Sequence, residues 1–386
     1  MDEYKRHTRI FSLCRVILRP FVKGKFNYRG EEISGIDGPF LLLANHNTDF
    51  DPLFLGASSR QHMYFVATEK ITRMGFWSRL IMYFFKPIIH YKGKMGISSV
   101  KEILLNLKEG RNVALFPEGN RSFNGVTGDF LASTGKMAKR SGATLVTYKF
   151  RGGYFSSPRW GSGTRRGKLS GEIAGIYPPE KLKEMSEAEI NDAIRRDLYV
   201  DAYADQKKEK IAFKGKDRAV GIESTLFLCP GCGKISTLKG KRNSFSCACG
   251  YMADYDEYGY IHDKNGNIWT ITELDSCQQL RISELLSEKP ETLLFSDEVL
   301  VQHIDKDHSV AAESSELLQG FTDRLEIGSL VLPFDEITGM AVNRRNLLII
   351  HYGEEDNHIE LIGNISFSAL KYLYLYKLAG NLNEKI

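Results

Sequence analysis

The sequence predicts an α/β fold for its first part, followed by a small cysteine-bearing segment and a mainly β C-terminal module closed by a helix. Residues 39–44 and 113–116 are apolar runs of strand length, each followed by a polar turn, and residues 98–108 between them have helical periodicity. Alternating strands and helices are typical of a mixed or parallel sheet flanked by helices.

The length of 386 residues accommodates two or three domains. A capping box at Ser186 and Glu189 starts a polar helix that is expected to close the first domain near Lys210. A second helix-like stretch, residues 271–286, precedes the C-terminal module. The predicted domains are residues 1–215, 222–265 and 288–386. A net charge of +4 is too small to favour nucleic acid as a partner.

The N-terminal segment has the pattern of a basic amphipathic helix. Residues 5–19 carry apolar side chains at helical spacing with arginines largely on the other side, and Pro20 is expected to end or kink the helix. Such a helix either lies in the interface of an anionic membrane or covers the core of the domain, and the sequence leaves both open.

The sequence also bears on the compartment. We expect no membrane span, because no apolar run reaches the ~18 to 20 residues that crossing a bilayer needs. An acidic start with recurrent arginines does not resemble a signal peptide. Cys14 and Cys277 stand alone, which indicates a reducing compartment. We therefore expect a peripheral protein at the cytoplasmic face of a membrane.

The first polar turn carries a histidine and a carboxylate. His46 follows the apolar run at residues 39–44, and Asp51 precedes Pro52 where a helix is expected to begin, with Asp51 as its N-cap. A carboxylate on Nδ1 would leave Nε2 free to take a proton from a hydroxyl. The alternative is that His46 and Asp51 only stabilise the turn by hydrogen bonds.

The second polar turn reads Pro117-Glu-Gly-Asn-Arg-Ser. It offers a carboxylate at Glu118, a glycine that lets backbone approach a ligand at Gly119, and a guanidinium suited to bidentate phosphate contacts at Arg121. Because strands of an open α/β sheet present their ligands at the carboxyl ends, both turns are expected to line one site.

With these two motifs the chain resembles the glycerophospholipid acyltransferase superfamily, whose signatures are N-H-x-x-x-x-D and F-P-E-G-T-R-S. The first signature is matched in full from Asn45 to Asp51, and the second departs only at Asn120, where the family usually has threonine. The resemblance covers about residues 10–205 and implies a glycerolipid-acyltransferase-like mixed sheet flanked by helices. It also implies fatty acyl transfer from acyl-CoA or acyl-carrier protein to the free hydroxyl of a lysophospholipid.

The resemblance implies a role for each site residue. His46 and Asp51 form the general-base dyad, and Glu118 and Gly119 shape the acceptor site. Lys92 stands where the family has a phosphate-binding arginine, which keeps the charge but loses the bidentate fork. The residues expected to bind the acceptor phosphate are Arg121, Lys70, Lys92 and Arg151. For the two lysines, an ordinary surface position is the alternative.

Four cysteines have the spacing of a metal site. Cys229 and Cys232 form one pair, Cys247 and Cys249 form a second pair, and a glycine follows each pair. Four thiolates on two hairpin knuckles are typical of a zinc ribbon with one structural zinc ion, whose four protein ligands leave no open position for catalysis. A redox pair or a set of disulfides is the competing interpretation.

The C-terminal part is predicted to be a β module closed by a helix. Its alternating runs predict antiparallel strands, and residues 366–378 predict a final helix. The predicted strands are residues 299–304, 329–333, 346–351 and 358–362. This order resembles a pleckstrin-homology-like fold, although no residue motif defines it.

The function that the sequence favours is a membrane-surface O-acyltransferase acting on a lysophospholipid, with 1-acylglycerol-3-phosphate as the preferred acceptor. A hydrolase, in which His46 activates water, is an alternative, but the sequence holds no G-x-S-x-G elbow. A non-catalytic adaptor that binds a partner near membranes through its zinc ribbon and C-terminal module is the other alternative. It would leave His46, Asp51, Glu118 and Arg121 jointly unexplained.

Overall fold

A computed structural model describes residues 3–92, 96–287, 291–305, 308–354 and 357–383. Of residues 381–383 only the backbone is described. The chain divides into two compact units. The first unit contains residues 1–158 and 164–214, and the second contains Arg159–Gly163 and Gly215–Ile386.

The first unit is mixed α/β, as the sequence predicts. Its helices are α1 (Glu3–Phe26), α2 (Asp51–Ser58), α3 (Phe76–Phe84), α4 (Ile97–Lys108), α5 (Ser133–Ser141), α6 (Gly153–Ser156), α7 (Pro179–Glu184), α8 (Glu187–Leu198) and α9 (Ala202–Lys208), with a 3-10 turn at Glu69–Arg73. Its strands are β1 (Tyr28–Gly30), β2 (Phe40–Ala44), β3 (Met63–Thr68), β4 (Ile88–His90), β5 (Asn112–Leu115), β6 (Thr144–Arg151) and β7 (Leu169–Tyr177).

These strands form one sheet in the order β1-β7-β6-β2-β5-β3-β4. β2 lies in its centre, parallel to β5 and β6, and only the pairing of β6 with β7 is antiparallel. Every residue of β2 and of β5 is buried, because helices cover both faces of a parallel sheet. The carboxyl ends of β2, β5 and β6 therefore lie side by side.

The N-terminal helix differs from its prediction in two ways. Helix α1 continues through Pro20 to Phe26, so the proline does not end it. Its buried residues are His7, Phe11, Val22 and Phe26. The apolar side chains of the predicted stripe are not buried: Leu13 and Ile17 are 68% and 69% exposed, and others, such as Leu18, are only partly buried. Helical spacing marks an apolar stripe, but it does not say which face packs on the sheet.

The polar helix predicted to run to about Lys210 is two helices. The capping box forms as predicted, with Ser186 and Glu189 bonding each other's backbone N–H groups at the start of α8. The chain then leaves the helix at Tyr199, and Asp201 caps α9 by accepting from the N–H groups of Tyr203 and Ala204. An aspartate at this position starts a new helix because its carboxylate satisfies the unpaired N–H groups of the first turn.

The second unit contains two sheets. Its helices are α10 (Ile271–Leu286) and α11 (Ala369–Asn383), with 3-10 turns at Ile222–Ser224 and Phe334–Glu336. The strands of the smaller sheet are β8 (Leu238–Lys241), β9 (Ser244–Cys247), β10 (Met252–Tyr255), β11 (Ile261–Asp263) and β12 (Ile268–Trp269). Those of the larger sheet are β13 (Leu293–Ile304), β14 (Val310–Phe321), β15 (Arg324–Ile327), β16 (Leu330–Pro333), β17 (Ile337–Asn343), β18 (Leu347–Tyr352) and β19 (Asn357–Gly363).

Both sheets of the second unit are antiparallel. The smaller one follows chain order from β12 to β8, and the larger one has the order β16-β15-β14-β13-β19-β18-β17. The described part of α11 packs on the larger sheet, with Leu370, Tyr372 and Leu373 buried. The structure thus contains the expected β module and its C-terminal helix, whereas the likeness to a pleckstrin-homology domain stays a prediction. Among the described residues, no helix is both long and apolar enough to cross a membrane.

Candidate active site

His46 lies in the loop between β2 and α2, where the central strand ends. Its Nδ1 is 2.9 Å from Oδ2 of Asp51, the first residue of α2. Asp51 is therefore inside the helix rather than at its N-cap, a position that Phe50 occupies. The positive end of the helix dipole favours a carboxylate at this place.

The carboxylate of Asp51 is buried and held from several sides. Its Oδ2 also accepts hydrogen bonds from the backbone N–H groups of Asn47 (2.6 Å) and Thr48 (2.9 Å), and its Oδ1 accepts from the Thr48 hydroxyl (2.7 Å). Because a carboxylate can only accept, Nδ1 of His46 carries the proton and Nε2 holds the lone pair. Nε2 makes no hydrogen bond with the part of the chain that the structure describes.

The surroundings of His46 keep its imidazole neutral. The ring stacks on Phe116 with centroids 4.5 Å apart, and the side chain retains 19% of its exposure. Burial lowers the pKa of His46 below its usual value, the hydrogen bond and charge of Asp51 oppose this shift, and the positive charges of Arg121 and Lys92 add to it. A neutral imidazole with an accessible lone pair can act as a general base.

Glu118 connects two loops through backbone hydrogen bonds. Its Oε1 accepts from the N–H of His46 at 2.7 Å, and its Oε2 accepts from the N–H of Gly128 at 2.6 Å. Burial raises the pKa of Glu118 to about 8, and the two N–H donors oppose that shift. Glu118 therefore holds the backbone of the histidine loop, a contact that the sequence did not predict.

Arg121 directly precedes Ser122, whose N–H donates a hydrogen bond to the carbonyl of His46 at 3.0 Å. Arg121 therefore lies beside the same loop. The side chain of Arg121 retains 9% of its exposure, and its Nε is 3.3 Å from Oδ1 of Asp49. Gly119 is exposed and adopts a left-handed φ of 63°, which lets the chain turn sharply after Glu118.

The other predicted phosphate ligands differ in their surroundings. Lys70 lies on the 3-10 turn after β3, and Lys92 follows β4, with its backbone N–H donating to the buried carboxylate of Glu69. Arg151 ends β6, where its Nη1 lies 2.8 and 2.7 Å from the two carboxylate oxygens of Asp205. Since this guanidinium already faces a carboxylate, the geometry favours a structural role for Arg151, and its role in substrate binding stays a prediction.

Residues 25–151 match the Acyltransferase family. Both the His46 loop and the Glu118 loop lie inside the matched segment. None of the curated proteins gives a match. Among solved structures, the chain is similar to the 1-acyl-sn-glycerophosphate (LPA) acyltransferase, PlsC, from Thermotoga maritima, with 18% identity, 52% of this chain and 81% of that chain covered, and a TM-score of 0.43.

Two supports of the site were not predicted from the sequence. The side-chain amide of Asn45 donates to the carbonyl of Phe150 at 3.0 Å and accepts from its N–H at 2.7 Å, which ties the ends of β2 and β6 together. Gly153 packs directly against the histidine loop, since a Cβ on it would lie 2.8 Å from Cβ of Asn47. The glycine pair Gly152-Gly153 after Arg151 is a sequence signal that could have indicated a close approach here.

An apolar groove lies next to the histidine loop and within the first unit. Its volume is about 540 Å³, and its lining comes from α1, α2, β3 and α3, with Pro52 and Leu53 belonging to the turn of helix that Asp51 begins. Arg15 is the single charged residue among the described residues that line it. Such a lining suits an aliphatic chain rather than a polar ligand.

The predicted metal ligands lie in the second unit, apart from these residues in the chain. Cys229, Cys232, Cys247 and Cys249 come together there, and their geometry is described below.

Proposed function

We propose that the first unit is a membrane-surface O-acyltransferase that moves a fatty acyl group from acyl-CoA or acyl-carrier protein to the free hydroxyl of a lysophospholipid. The observation that carries this proposal is the His46–Asp51 pair at the carboxyl end of the central strand, with its proton on Nδ1 and an Nε2 that makes no hydrogen bond among the described residues. The match of residues 25–151 to the Acyltransferase family supports it.

In the proposed reaction, Nε2 of His46 takes the proton of the acceptor hydroxyl as its oxygen attacks the thioester carbonyl. The tetrahedral intermediate then collapses, the C–S bond breaks, and the imidazolium returns the proton to the leaving thiolate. Asp51 stabilises the imidazolium between these two steps. The products are a diacyl phospholipid and the free thiol of the donor, and no covalent enzyme intermediate is formed.

The acceptor is proposed to carry a phosphate, with 1-acylglycerol-3-phosphate as the preferred compound. Arg121 and Lys92 are near enough to His46 for their charges to lower its pKa, so an anion bound by them would lie beside the base. Lys70 lies on the 3-10 turn that follows strand β3. It is proposed as a further cation that binds the acceptor phosphate. Glu118 holds the His46 backbone rather than touching the substrate in this scheme.

The apolar groove is proposed to hold a fatty acyl chain. Pro52 and Leu53, which directly follow Asp51, belong to its lining, so part of a chain lying in it would be near the dyad. The exposed apolar residues of α1 and α3 lie along the same part of the unit and are proposed to face the lipid surface. They include Leu13, Ile17, Phe76 and Trp77, which retain 62% to 69% of their exposure.

The decisive experiment compares wild-type protein with His46→Ala, using 1-acylglycerol-3-phosphate and either acyl-CoA or acyl-carrier protein. We expect the variant to lose about 100-fold to 10,000-fold in rate, because a positioned general base contributes that much. Mass spectrometry of the lipid product measures it. Circular dichroism of both proteins checks that the fold is kept.

Leaving the acceptor out of the same assay separates acyl transfer from hydrolysis. If free fatty acid were released without an acceptor as fast as the acyl group is transferred with one, a hydrolase would be favoured. If wild-type protein transferred no acyl group to any lysophospholipid, or if His46→Ala retained more than about a tenth of the rate, the proposal would be wrong.

A further inference from the structure

Four of the five cysteines of the second unit lie close together. The Sγ atoms of Cys229 and Cys249 are 3.8 Å apart, and those of Cys232 and Cys247 are 3.9 Å apart. All four sulfur atoms lie within 4.8 Å of one another. We call these four residues the cysteine cluster.

These distances match those of a tetrahedral metal ion rather than a disulfide. A zinc ion that binds four thiolates at ~2.3 Å keeps its sulfur atoms about 3.8 Å apart, whereas a disulfide needs about 2.05 Å. All four cysteines are free. The side chains are thus placed for one shared ion without any of them being bonded to another.

The backbone on each side of the cysteine cluster is preformed for binding. In the first knuckle the N–H of Gly233 donates to the carbonyl of Cys229 at 2.9 Å, and in the second the N–H of Gly250 donates to the carbonyl of Cys247 at 3.0 Å. Both glycines adopt a left-handed φ, 68° at Gly233 and 96° at Gly250. The first turn is one residue longer than the second, and each is closed by a glycine whose left-handed φ would strain any other residue. Together they present the four sulfur atoms to one centre.

A side-chain contact also orients one of the four cysteines. The hydroxyl Oγ1 of Thr237 is 3.2 Å from Sγ of Cys247 and can donate a hydrogen bond to it. Such contacts around a metal ligand fix its orientation. Among the described residues, no helix begins at Cys229 or Cys247, so the arrangement lacks the helix N-terminus that lowers a reactive thiol's pKa in redox C-x-x-C motifs.

We propose that the cysteine cluster binds one Zn²⁺ ion, and that this ion fixes the segment on which helix α10 packs. Directly before Cys229, the N–H groups of Phe227 and Leu228 donate to Oε1 of Gln278 on α10 at 2.6 and 3.1 Å. The amide of Gln278 also donates to the carbonyl of Thr225. With four protein ligands the ion has no open position, so its role is structural. The proposal goes beyond acyl transfer and does not depend on it.

The test measures metal in the full-length protein purified under reducing conditions. We expect about one zinc per chain by inductively coupled plasma mass spectrometry. Replacement by Co²⁺ should give the absorption of a tetrahedral cobalt–thiolate centre, a measurement that needs no variant. Chelation should increase hydrogen exchange in peptides that contain Phe227, Leu228 and α10, because zinc binding supplies folding free energy to these segments.

The matched variants distinguish the cluster from the other cysteines. Cys232→Ser combined with Cys247→Ser should remove the zinc, whereas Cys277→Ser, at an exposed position on α10, should keep it. A wild-type protein without zinc, a disulfide within the cluster in reduced protein, or iron bound in place of zinc in zinc-supplemented medium would overturn the proposal. So would zinc retained by the double variant.

Discussion

At the scale of single residues, the surroundings of His46 determine the pH range in which the site works. Burial lowers its pKa below the usual value, so the imidazole is neutral at and above neutral pH, and it is protonated only in more acidic solution. A general base must be unprotonated to act. The rate of acyl transfer should therefore be constant from about pH 7 upward and fall with increasing acidity.

The same reasoning predicts the effect of Asp51→Asn. The negative charge of Asp51 raises the pKa of His46, so its removal should move the acidic limb to lower pH while the rate falls at every pH. The kcat/KM for the acceptor, measured from pH 5 to 8 for both proteins, tests this. An acidic limb that moved to higher pH in Asp51→Asn would contradict the assigned pair.

The variant Arg121→Lys tests whether the acceptor carries a phosphate. A guanidinium can bind a phosphate through two parallel hydrogen bonds, and lysine keeps the charge but loses the second contact. A charge-assisted hydrogen bond contributes ~1.5 to 3 kcal/mol, so Arg121→Lys should raise the acceptor KM about tenfold to a hundredfold. The KM for the thioester donor should hardly change. Separate titration of the two substrates measures both values.

Two controls make this comparison sharper. Asn120→Thr restores the usual family residue beside Arg121 and should preserve activity. Arg151→Lys should have a small effect on the acceptor KM, because Arg151 already pairs with Asp205. If Arg121→Lys weakened only the donor, the guanidinium would serve the carrier's phosphates, and the assigned substrate roles would have to be exchanged.

Several site contacts could be predicted from the sequence because they are local. His46 and Asp51 are five residues apart across a single turn between a strand and a helix, so their meeting follows from the apolar run and from Pro52. The bonds between Asn45 and Phe150 join residues that are 105 positions apart. They depend on the parallel pairing of β2 with β6, which spacing along the chain does not specify.

At the scale of elements, α1 shows the same limit of sequence-based prediction, because spacing along the chain does not specify contacts with distant segments. The apolar spacing predicted a helix with one apolar stripe, but the residues that pack inward include His7, whose Nδ1 lies 3.0 Å from the hydroxyl of Tyr64. Polar partners supplied by β3 make that face suitable for burial, and they are invisible in the helix sequence. The apolar stripe is left exposed or lines the groove.

We predict that this exposed stripe, together with α3, binds lipid. Fully burying one large apolar side chain contributes ~1.5 to 3 kcal/mol, so Ile17→Glu or Trp77→Glu should weaken binding to vesicles about tenfold to a hundredfold. Vesicles of anionic phospholipid, separated by sedimentation, measure the bound fraction. Ile268→Glu on β12 is the matched control, because Ile268 is 61% exposed but lies in the second unit. An equal loss in all three variants would refute a specific lipid-binding face.

At the scale of the whole molecule, a short segment of the first half of the sequence belongs to the second unit. Arg159–Gly163 groups with residues 215–386, although residues on both sides of it belong to the first unit. Trp160 is fully buried there, its Nε1 donates to the carbonyl of Arg218, and its ring meets Tyr255 edge to face with centroids 5.7 Å apart. A boundary placed near residue 215 from a predicted helix end does not reveal such an excursion of the chain.

This arrangement predicts which part of the protein Trp160→Ala destabilises. Removing a buried tryptophan costs about 3 to 5 kcal/mol, so Trp160→Ala in the full-length protein should destabilise the second unit by that amount. Hydrogen exchange should increase in peptides from β10 and from the segment around Arg218. Peptides from β2 and β5, which carry the proposed active site, should exchange as in the wild type.

Trp269→Ala is the control, because Trp269 is only half-buried and should have a smaller effect. Faster exchange in β2 and β5 with no change near Tyr255 would mean that the segment stabilises the first unit instead.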